Sequence, residues 1–359
     1  MTAAGTALLV AGLLVSGCAS DGEQEWQVAA NPRATADEII DAGHAVGIAT
    51  NGDQMVVTWE VEPEDDEGPY QGAWRLYDRE PLQIAEGTFG TVREASARID
   101  VTAVRGGFLL TDYAKHRLRF LNRKGELTPA ALDTAKPGSS LVGGVLRESR
   151  PSDEEGWEVV LPHKRQIVRL TDLPTEDVQG VALTADGTFW VLLPWKDDGP
   201  FRIAHAKNGR APWTTEVIPL PKGSATGGGS FSASGGRLFV VGSHSKGQKT
   251  AVDVILSRSA DDAEWTTIDA AGIADNLTAA PQVTALRKGR LLASSGGEGS
   301  WVRGSNDTRF HALRPPRTHQ YSRPTVSSEG PWLWSAEQTF GRQLYYSYDF
   351  GTTWRKFYR

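Results

Sequence analysis

From His44 onward the apolar positions fall in short runs that come in pairs: a short strand-like run, a turn carrying glycine, then a second and more apolar run. Val46-Gly47-Ile48-Ala49 leads through Asn51-Gly52-Asp53 to Met55-Val56-Val57-Thr58-Trp59, and Val101-Thr102-Ala103-Val104 leads through Arg105-Gly106-Gly107 to Phe108-Leu109-Leu110. Further pairs turn at Ala185-Asp186-Gly187 before Phe189-Trp190-Val191-Leu192, and at Ser234-Gly235-Gly236 before Leu238-Phe239-Val240-Val241. Lys288-Gly289 precedes Leu291-Leu292-Ala293, Glu329-Gly330 precedes Trp332-Leu333-Trp334, and a longer turn from Pro151 to Gly156 serves Trp157 to Leu161. Glycine supplies the positive φ that tight hairpin turns demand, and Asn or Asp beside it tolerates the same region. The pairs recur about every 40–50 residues, the range of propeller blades. No helical periodicity competes. The pattern predicts an all-β domain over residues 44–359, with about seven hairpin-based sheets.

The second half of each unit carries a further signal. Ser347-Tyr348-Asp349-Phe350-Gly351-Thr352-Thr353-Trp354 has the form Ser-x-Asp-x-Gly-x-Thr-Trp. It resembles the Asp-box of sialidases and other BNR-repeat β-propellers, a turn joining the two outer strands of a blade. Worn copies stand at Lys207 to Trp213, Ser259 to Trp265 and Ser305 to Phe310. The resemblance implies an all-β β-propeller, and the count of hairpins gives it seven four-stranded blades. It also implies a structural role at the blade periphery for Ser347, Asp349, Gly351, Thr353 and Trp354. An Asp side chain can accept hydrogen bonds from its own turn, and the Trp buries a large face between strands.

The N-terminus predicts the address. Leu8 to Val15 is an apolar stretch of signal-peptide length, and it ends at Val15-Ser16-Gly17-Cys18. That tetrapeptide resembles the lipobox of bacterial lipoproteins, which implies that Cys18 carries a thioether-linked diacylglyceryl group. Two acyl chains anchor stably where one would be marginal. Met1 to Thr6 lack the Lys or Arg that usually opens such a signal. Cys18 is the sole cysteine, so no intrachain disulfide exists. The organisation expected is a signal peptide over 1–17, a lipidated cysteine and tether over 18–43, and the propeller over 44–359. Within the tether, Thr35-Ala36-Asp37-Glu38 has capping-box spacing and predicts one helical turn through Ile39-Ile40. Trp26-Gln27-Val28 is the candidate for a strand closing the ring from the N-terminal side.

Composition narrows the chemistry. A net charge of −6 without a basic stripe removes the electrostatic footprint of a nucleic-acid binder. The 7 His are scattered without metal-ligand spacing, and no cofactor fingerprint occurs. The acidic run Glu60, Glu62, Glu64, Asp65, Asp66 and Glu67 reads as a solvated hairpin loop. Family sialidases carry an arginine triad, a Tyr–Glu nucleophile pair and an Asp acid/base. Here Phe201-Arg202-Ile203-Ala204 lacks the Pro of the family's Arg motif and falls in the third strand of a middle blade. Tyr345-Tyr346 lies inside the strand feeding the Asp-box, where packing is the simpler role.

Propellers recognise ligands with loops on one face. The richest such loop, Arg317 to Arg323, concentrates Arg317, His319, Tyr321 and Arg323; Trp195 and Glu337 stand on loops joining second and third strands. Tyr113, Lys115, His244, Lys246 and Glu298 belong to the same class of loop. Arg, Tyr and Trp are the residue types that anchor interfaces. The function expected is that of a lipid-anchored, extracytoplasmic, non-catalytic binding or assembly protein, with a glycan or an envelope protein as partner. The alternative is a sialidase-like glycoside hydrolase or lyase, with Glu298 and Glu337 as its carboxyl pair.

Overall fold

A computed structural model describes residues 27–62, 70–78, 80, 82–92, 99–112, 117–130, 132–136, 138–149, 156–175, 177–194, 200–221, 228–246, 249–295, 299–314, 325–326, 333–336 and 344–357. The first sheet comprises β1 (His44–Asn51), β2 (Gln54–Val61), β3 (Tyr70–Tyr77) and β4 (Gln83–Val92). The second holds β5 (Ile99–Val104), β6 (Gly107–Asp112), β7 (Arg117–Asn122) and β8 (Leu127–Pro129). The third is made of β9 (Asp133–Thr134), β10 (Val145–Ser149), β11 (Gly156–Leu161) and β12 (Gln166–Leu170). The fourth runs β13 (Gly180–Leu183), β14 (Thr188–Leu192), β15 (Arg202–Lys207) and β16 (Thr214–Val217). The fifth runs β17 (Gly228–Ser234), β18 (Arg237–Lys246), β19 (Lys249–Ser259) and β20 (Thr266–Ile268). The sixth has β21 (Gln282–Ala285), β22 (Leu291–Ser295), β23 (Gly299–Arg303) and β24 (His311–Ala312). The last has β25 (Thr325–Val326), β26 (Leu333–Ala336), β27 (Leu344–Ser347) and β28 (Arg355–Phe357).

Six of these sheets are antiparallel meanders in chain order, and the first strands β1/β5, β10/β13, β13/β17, β17/β21 and β25/β1 lie side by side. This is the arrangement of a β-propeller, with one strand of each blade near the axis. The expectation of seven four-stranded blades is corrected to six blades of the meander type, because the third sheet has the order β10-β11-β12-β9. Its edge strand β9 precedes it in sequence and runs parallel to β12. Among the described residues no outer strand follows Leu170 before the fourth sheet; the connector from the second blade supplies the edge instead. Sequence periodicity does not show this, because β9 is two exposed residues long.

The hairpins follow their turn chemistry. Ser234 pairs with Arg237, so Gly235 and Gly236 form a two-residue turn with φ of 59° and 74°, which other residues adopt only at a cost. The second strands are the most apolar because both of their faces are covered; all eight residues of β2 are buried.

Neighbouring sheets are joined by seams of different chemistry. Between the first and second, the Ile99 N–H donates to Glu60 Oε1 (2.5 Å) and the Ile99 carbonyl accepts from Thr58 Oγ1 (3.2 Å). Glu60 is only 4% exposed and lies on β2, so its assignment to a solvated acidic loop is corrected. Between the fifth and sixth, Ser230, Ser232 and Ser234 project from one face of β17 and donate to the carbonyls of Pro281, Val283 and Ala285. Between the fourth and fifth, buried Arg258 bonds Glu216 (2.7 and 3.3 Å) and lies between the rings of Trp190 and Trp265, about 5 Å from each centroid.

The last seam closes the ring. The final sheet ends on its own strand β28, and residues 27–30 are helical, so Val28 does not form the expected closing strand. In its place stands α1 (Ala36–Ala42), with the anticipated capping box: the Glu38 N–H donates to Thr35 Oγ1, and the Thr35 N–H donates to the Glu38 carboxylate. Ile39 and Ile40 are fully buried in one cluster with Met55, Val57, Trp59 and Tyr77 of the first blade and Leu344 and Phe357 of the last. Tyr77 and Phe357 meet edge to face at 4.8 Å across the seam. Arg75 on β3 pairs with both Asp37 and Glu86, and Gln71 Nε2 donates to the carbonyls of Ala29 and Asn31. The described part of the expected tether, residues 27–43, is therefore docked on the body.

Truncating Ile39 to Ala should cost about 2–5 kcal/mol, since a fully buried side chain leaves a cavity. Phe357→Ala should fall in a similar range, whereas Val217→Ala, at a position 60% exposed, should stay within about 0.5 kcal/mol. Chemical denaturation of the three variants measures this directly; equal midpoints for all three would show that α1 does not hold the seam.

Candidate functional site

The strands β18 and β19 are 10 and 11 residues long, and their outer ends carry the best-formed polar constellation among the described residues. Pairing runs regularly from Arg237↔Ser259 to Gly242↔Val254, then shifts: Ser243 pairs with Val252 and His244 with Ala251. Asp253 is the extra residue. Such a bulge re-aims the unpaired side chain, and here it turns Asp253 toward His244 on the facing strand. His244 Nδ1 lies 2.7 Å from both oxygens of Asp253.

The hairpin end is braced. Thr250 exchanges two backbone hydrogen bonds with Leu277, in the segment that enters the sixth blade. The pair thus stands on a support shared by two blades. The Asp253 side chain is 19% exposed and that of His244 39%, which leaves the outer imidazole nitrogen accessible. A carboxylate on Nδ1 fixes the ring's orientation. In neutral imidazole it places the proton on Nδ1 and leaves Nε2 as an acceptor; in imidazolium Nε2 becomes a donor. The arrangement can direct a hydrogen bond or hold a proton at Nε2. Sequence reading placed His244 among the loop residues of the recognition face and missed Asp253. The pair lies nine residues apart across a bulge, and strand alternation alone does not reveal it.

The remaining candidates, Trp195, Arg317, His319, Tyr321, Arg323 and Glu337, lie outside the described residues, as do Cys18, Tyr113, Lys115 and Glu298. Arg202 falls in β15, the third strand of the fourth blade, between buried Phe201 and Ile203.

Ser347, Asp349, Gly351, Thr353 and Trp354 form the turn between β27 and β28. Asp349 Oδ1 accepts from the Ser347 hydroxyl (2.8 Å) and the Thr353 N–H (2.8 Å), while Oδ2 accepts from the Thr353 hydroxyl (2.7 Å). Ser347 Oγ accepts in turn from the Gly351 N–H at 2.7 Å. Phe350 and Gly351 both take positive φ, 58° and 86°, to wrap the chain around the carboxylate. Trp354 packs with Phe350, Leu286 and Leu292 against the sixth blade. A turn of the same design, between β13 and β14, was read in sequence only as a glycine turn. Asp186 there accepts from Thr184 Oγ1 (2.6 Å), from the Thr188 N–H (3.2 Å) and hydroxyl (2.6 Å), and from Lys207 Nζ (2.7 Å). Partial burial pushes both carboxyls up, but the hydrogen bonds outweigh it and hold each below the ordinary aspartate value.

No protein-family model and no curated protein sequence matches the chain. Among solved structures, the β-propeller domain of the Trilobed protease from Pyrococcus furiosus, described as having an open velcro topology, is similar with a TM-score of 0.51. The identity is 11%, over 88% of this chain and 97% of that one. The chain is a β-propeller. A puromycin-hydrolyzing peptidase of Mycobacterium tuberculosis matches at 13% identity and TM-score 0.48, over 90% of this chain and 54% of its own. The propeller thus spans about half the length of that peptidase. TolB from Acinetobacter baumannii matches at 11% identity and TM-score 0.43, over 89% and 82% of the two chains. Likeness at this level is likeness of fold alone.

Each depressed aspartate pKa links the turns to pH. A folded-state value below the unfolded one gives stability that is full above the ordinary value of 3.8 and is lost as pH falls through the folded value. Asp349→Asn or Asp186→Asn should therefore cost about 1 kcal/mol at neutral pH, and the deficit should shrink steadily below about pH 4. Thermal melts of wild type and variants from pH 7 to pH 2 test this; a deficit independent of pH would refute it.

Proposed function

We propose that the chain is a membrane-anchored binding propeller of the extracytoplasmic space, non-catalytic in itself, with a glycan or an envelope protein as its ligand. The observation that carries this reading is the braced β18–β19 hairpin, which fixes His244 against Asp253 and leaves Nε2 outward. Asp253 on Nδ1 orients the ring, so that His244 Nε2 can supply a directed hydrogen bond to a ligand. Glycoside cleavage would call for two carboxyl groups about 5–10 Å apart in one pocket. Arg317, His319, Tyr321, Arg323, Trp195 and Glu337 are the proposed partners of His244 in recognition, being types suited to sugar or protein surfaces. In this proposal the final turn belongs to the Asp-box class and serves the scaffold. Cys18 carries the lipid.

Incubating the full chain in detergent with a glycan library, and reading both capture and cleavage by mass spectrometry, tests the reading. Capture without cleavage is expected, and His244→Ala should weaken it about tenfold, or 1.4 kcal/mol, with no change in melting temperature. Cleavage products would overturn the non-catalytic assignment. If no glycan is captured, cross-linking in the native envelope should yield a protein partner whose yield falls in His244→Ala; failure of both arms sinks the proposal. Separately, Cys18→Ser should move the protein from the membrane to the aqueous fraction and abolish labelling by a clickable fatty acid.

A further inference from the structure

The irregular third sheet leaves a feature that the binding face does not use. At its seam with the second blade lies a cavity of about 250 Å³. Leu109 and Val160 are buried in it, Phe120 and Leu132 are partly buried, and exposed Arg105, His163 and Arg165 stand around it. The apolar residues belong to the small cluster that joins these two sheets. Arg105 comes from the tight turn between β5 and β6; His163 and Arg165 come from the short 3-10 turn between β11 and β12.

Two observations give this cavity a chemical preference. The chain carries a net charge of −6, yet three basic side chains gather here, and none of the three makes an ion pair among the described residues. Asp133, whose amide donates to the Arg165 carbonyl, pairs with neither arginine. Arg165 also holds a left-handed backbone conformation, φ 52° and ψ 48°. Glycine or asparagine would take it more readily, and it is costly for a long side chain. Residues held in such conformations cluster where a side chain serves a site.

We infer that this cavity binds a small amphipathic carboxylate. The apolar body fills the space between Leu109, Phe120, Leu132 and Val160, while the carboxylate meets the forked guanidinium groups of Arg105 and Arg165, a geometry that suits two parallel hydrogen bonds. At about 250 Å³ the cavity is small, so the body is short and not a long lipid chain. His163 adds a third positive group when protonated.

The probe is 3-phenylpropanoate, titrated calorimetrically into the full chain in detergent, with 3-phenylpropan-1-ol and acetate as the separated apolar and anionic halves. The acid should saturate one site and bind at least tenfold more tightly than the alcohol, with acetate undetectable. Arg105→Gln/Arg165→Gln should weaken the acid at least tenfold and bring it level with the alcohol at an unchanged melting temperature. Should Arg165→Gln disturb its turn, Arg105→Gln alone carries the same test, since Arg105 is exposed on a separate hairpin. Leu132→Trp, which fills the space, should remove both ligands. Equal affinities for acid and alcohol, wild-type binding by the arginine variants, or the absence of saturable binding would each overturn the assignment.

Discussion

A ring of sheets must bring its last blade against its first, and the whole fold depends on how that contact is made. Many rings can close by sharing a strand, so that main-chain hydrogen bonds lock the two chain ends together. Here β28 completes the last blade from its own segment, and the lock is apolar: Ile39 and Ile40 of α1 wedge against Trp59 and Tyr77 on one side and Leu344 and Phe357 on the other. A hydrophobic contact lacks the directionality of a shared strand. The helix supplies that direction through its ends, where the capping box fixes Thr35 to Glu38 and Arg75 clamps Asp37 to Glu86. Gly43 completes the fit, because a Cβ there would stand 2.3 Å from the Glu60 carbonyl oxygen, closer than atoms can approach. The carbonyl so approached belongs to the same Glu60 whose side chain holds Ile99 at the next seam. Closure and the first inter-blade joint therefore share one residue.

The other seams show why the fold tolerates such different sequences in its blades. Each sheet satisfies its own main-chain hydrogen bonds, so neighbouring sheets need only fill space and avoid stranding polar groups. The serine ladder on β17 does this with hydroxyls spaced two residues apart along the strand, each on a carbonyl of the next blade. The joint between the fourth and fifth blades does it with a charge. Arg258 is nearly inaccessible; Glu216 accepts from its two terminal nitrogens and two tryptophan rings flank the guanidinium, while its Nε is left buried without a hydrogen-bond partner. His205 stacks on Trp190 at 4.2 Å and reaches the same Glu216 carboxylate at 2.9 Å, which extends the joint to the blade edge.

What could be read from the chain follows from the range of the interactions concerned. Hairpins are local: a glycine turn between two apolar runs names its own partner strands, so the blades around Gly52, Gly106, Gly187 and Gly235 were visible without coordinates. The capping box at Thr35 is equally local, and it occurs as expected. Its destination was hidden, because two isoleucines in a polar segment do not say what they pack against. The β9 edge was hidden for the opposite reason: Asp133 and Thr134 are polar, exposed and only two, and they join the sheet through backbone alone. The His244–Asp253 pair depends on a register shift at Gly242/Ser243, which sequence alternation would place one residue out. Glu60 was misread because charge in a run of acids suggests solvent, while its carboxylate serves a buried peptide across a seam.

Both candidate sites arise where the regular blade is broken. A meander of four strands satisfies itself so fully that its middle offers a ligand little but covered backbone and packed apolar side chains. Departures leave groups to spare. The bulge at Asp253 frees one side chain from the pleat and points it at a histidine, while the bridge from Thr250 to Leu277 keeps that end of the hairpin from fraying. In the third sheet the borrowed edge strand leaves a thin apolar joint against the second blade, and its void is bordered by Arg105, His163 and Arg165. The regular seams bear the stability, so these two irregular places can carry exposed charge and a strained arginine without endangering the ring. The seams constrain volume and polarity, and the irregularities, which no turn signal announces, are free to differ.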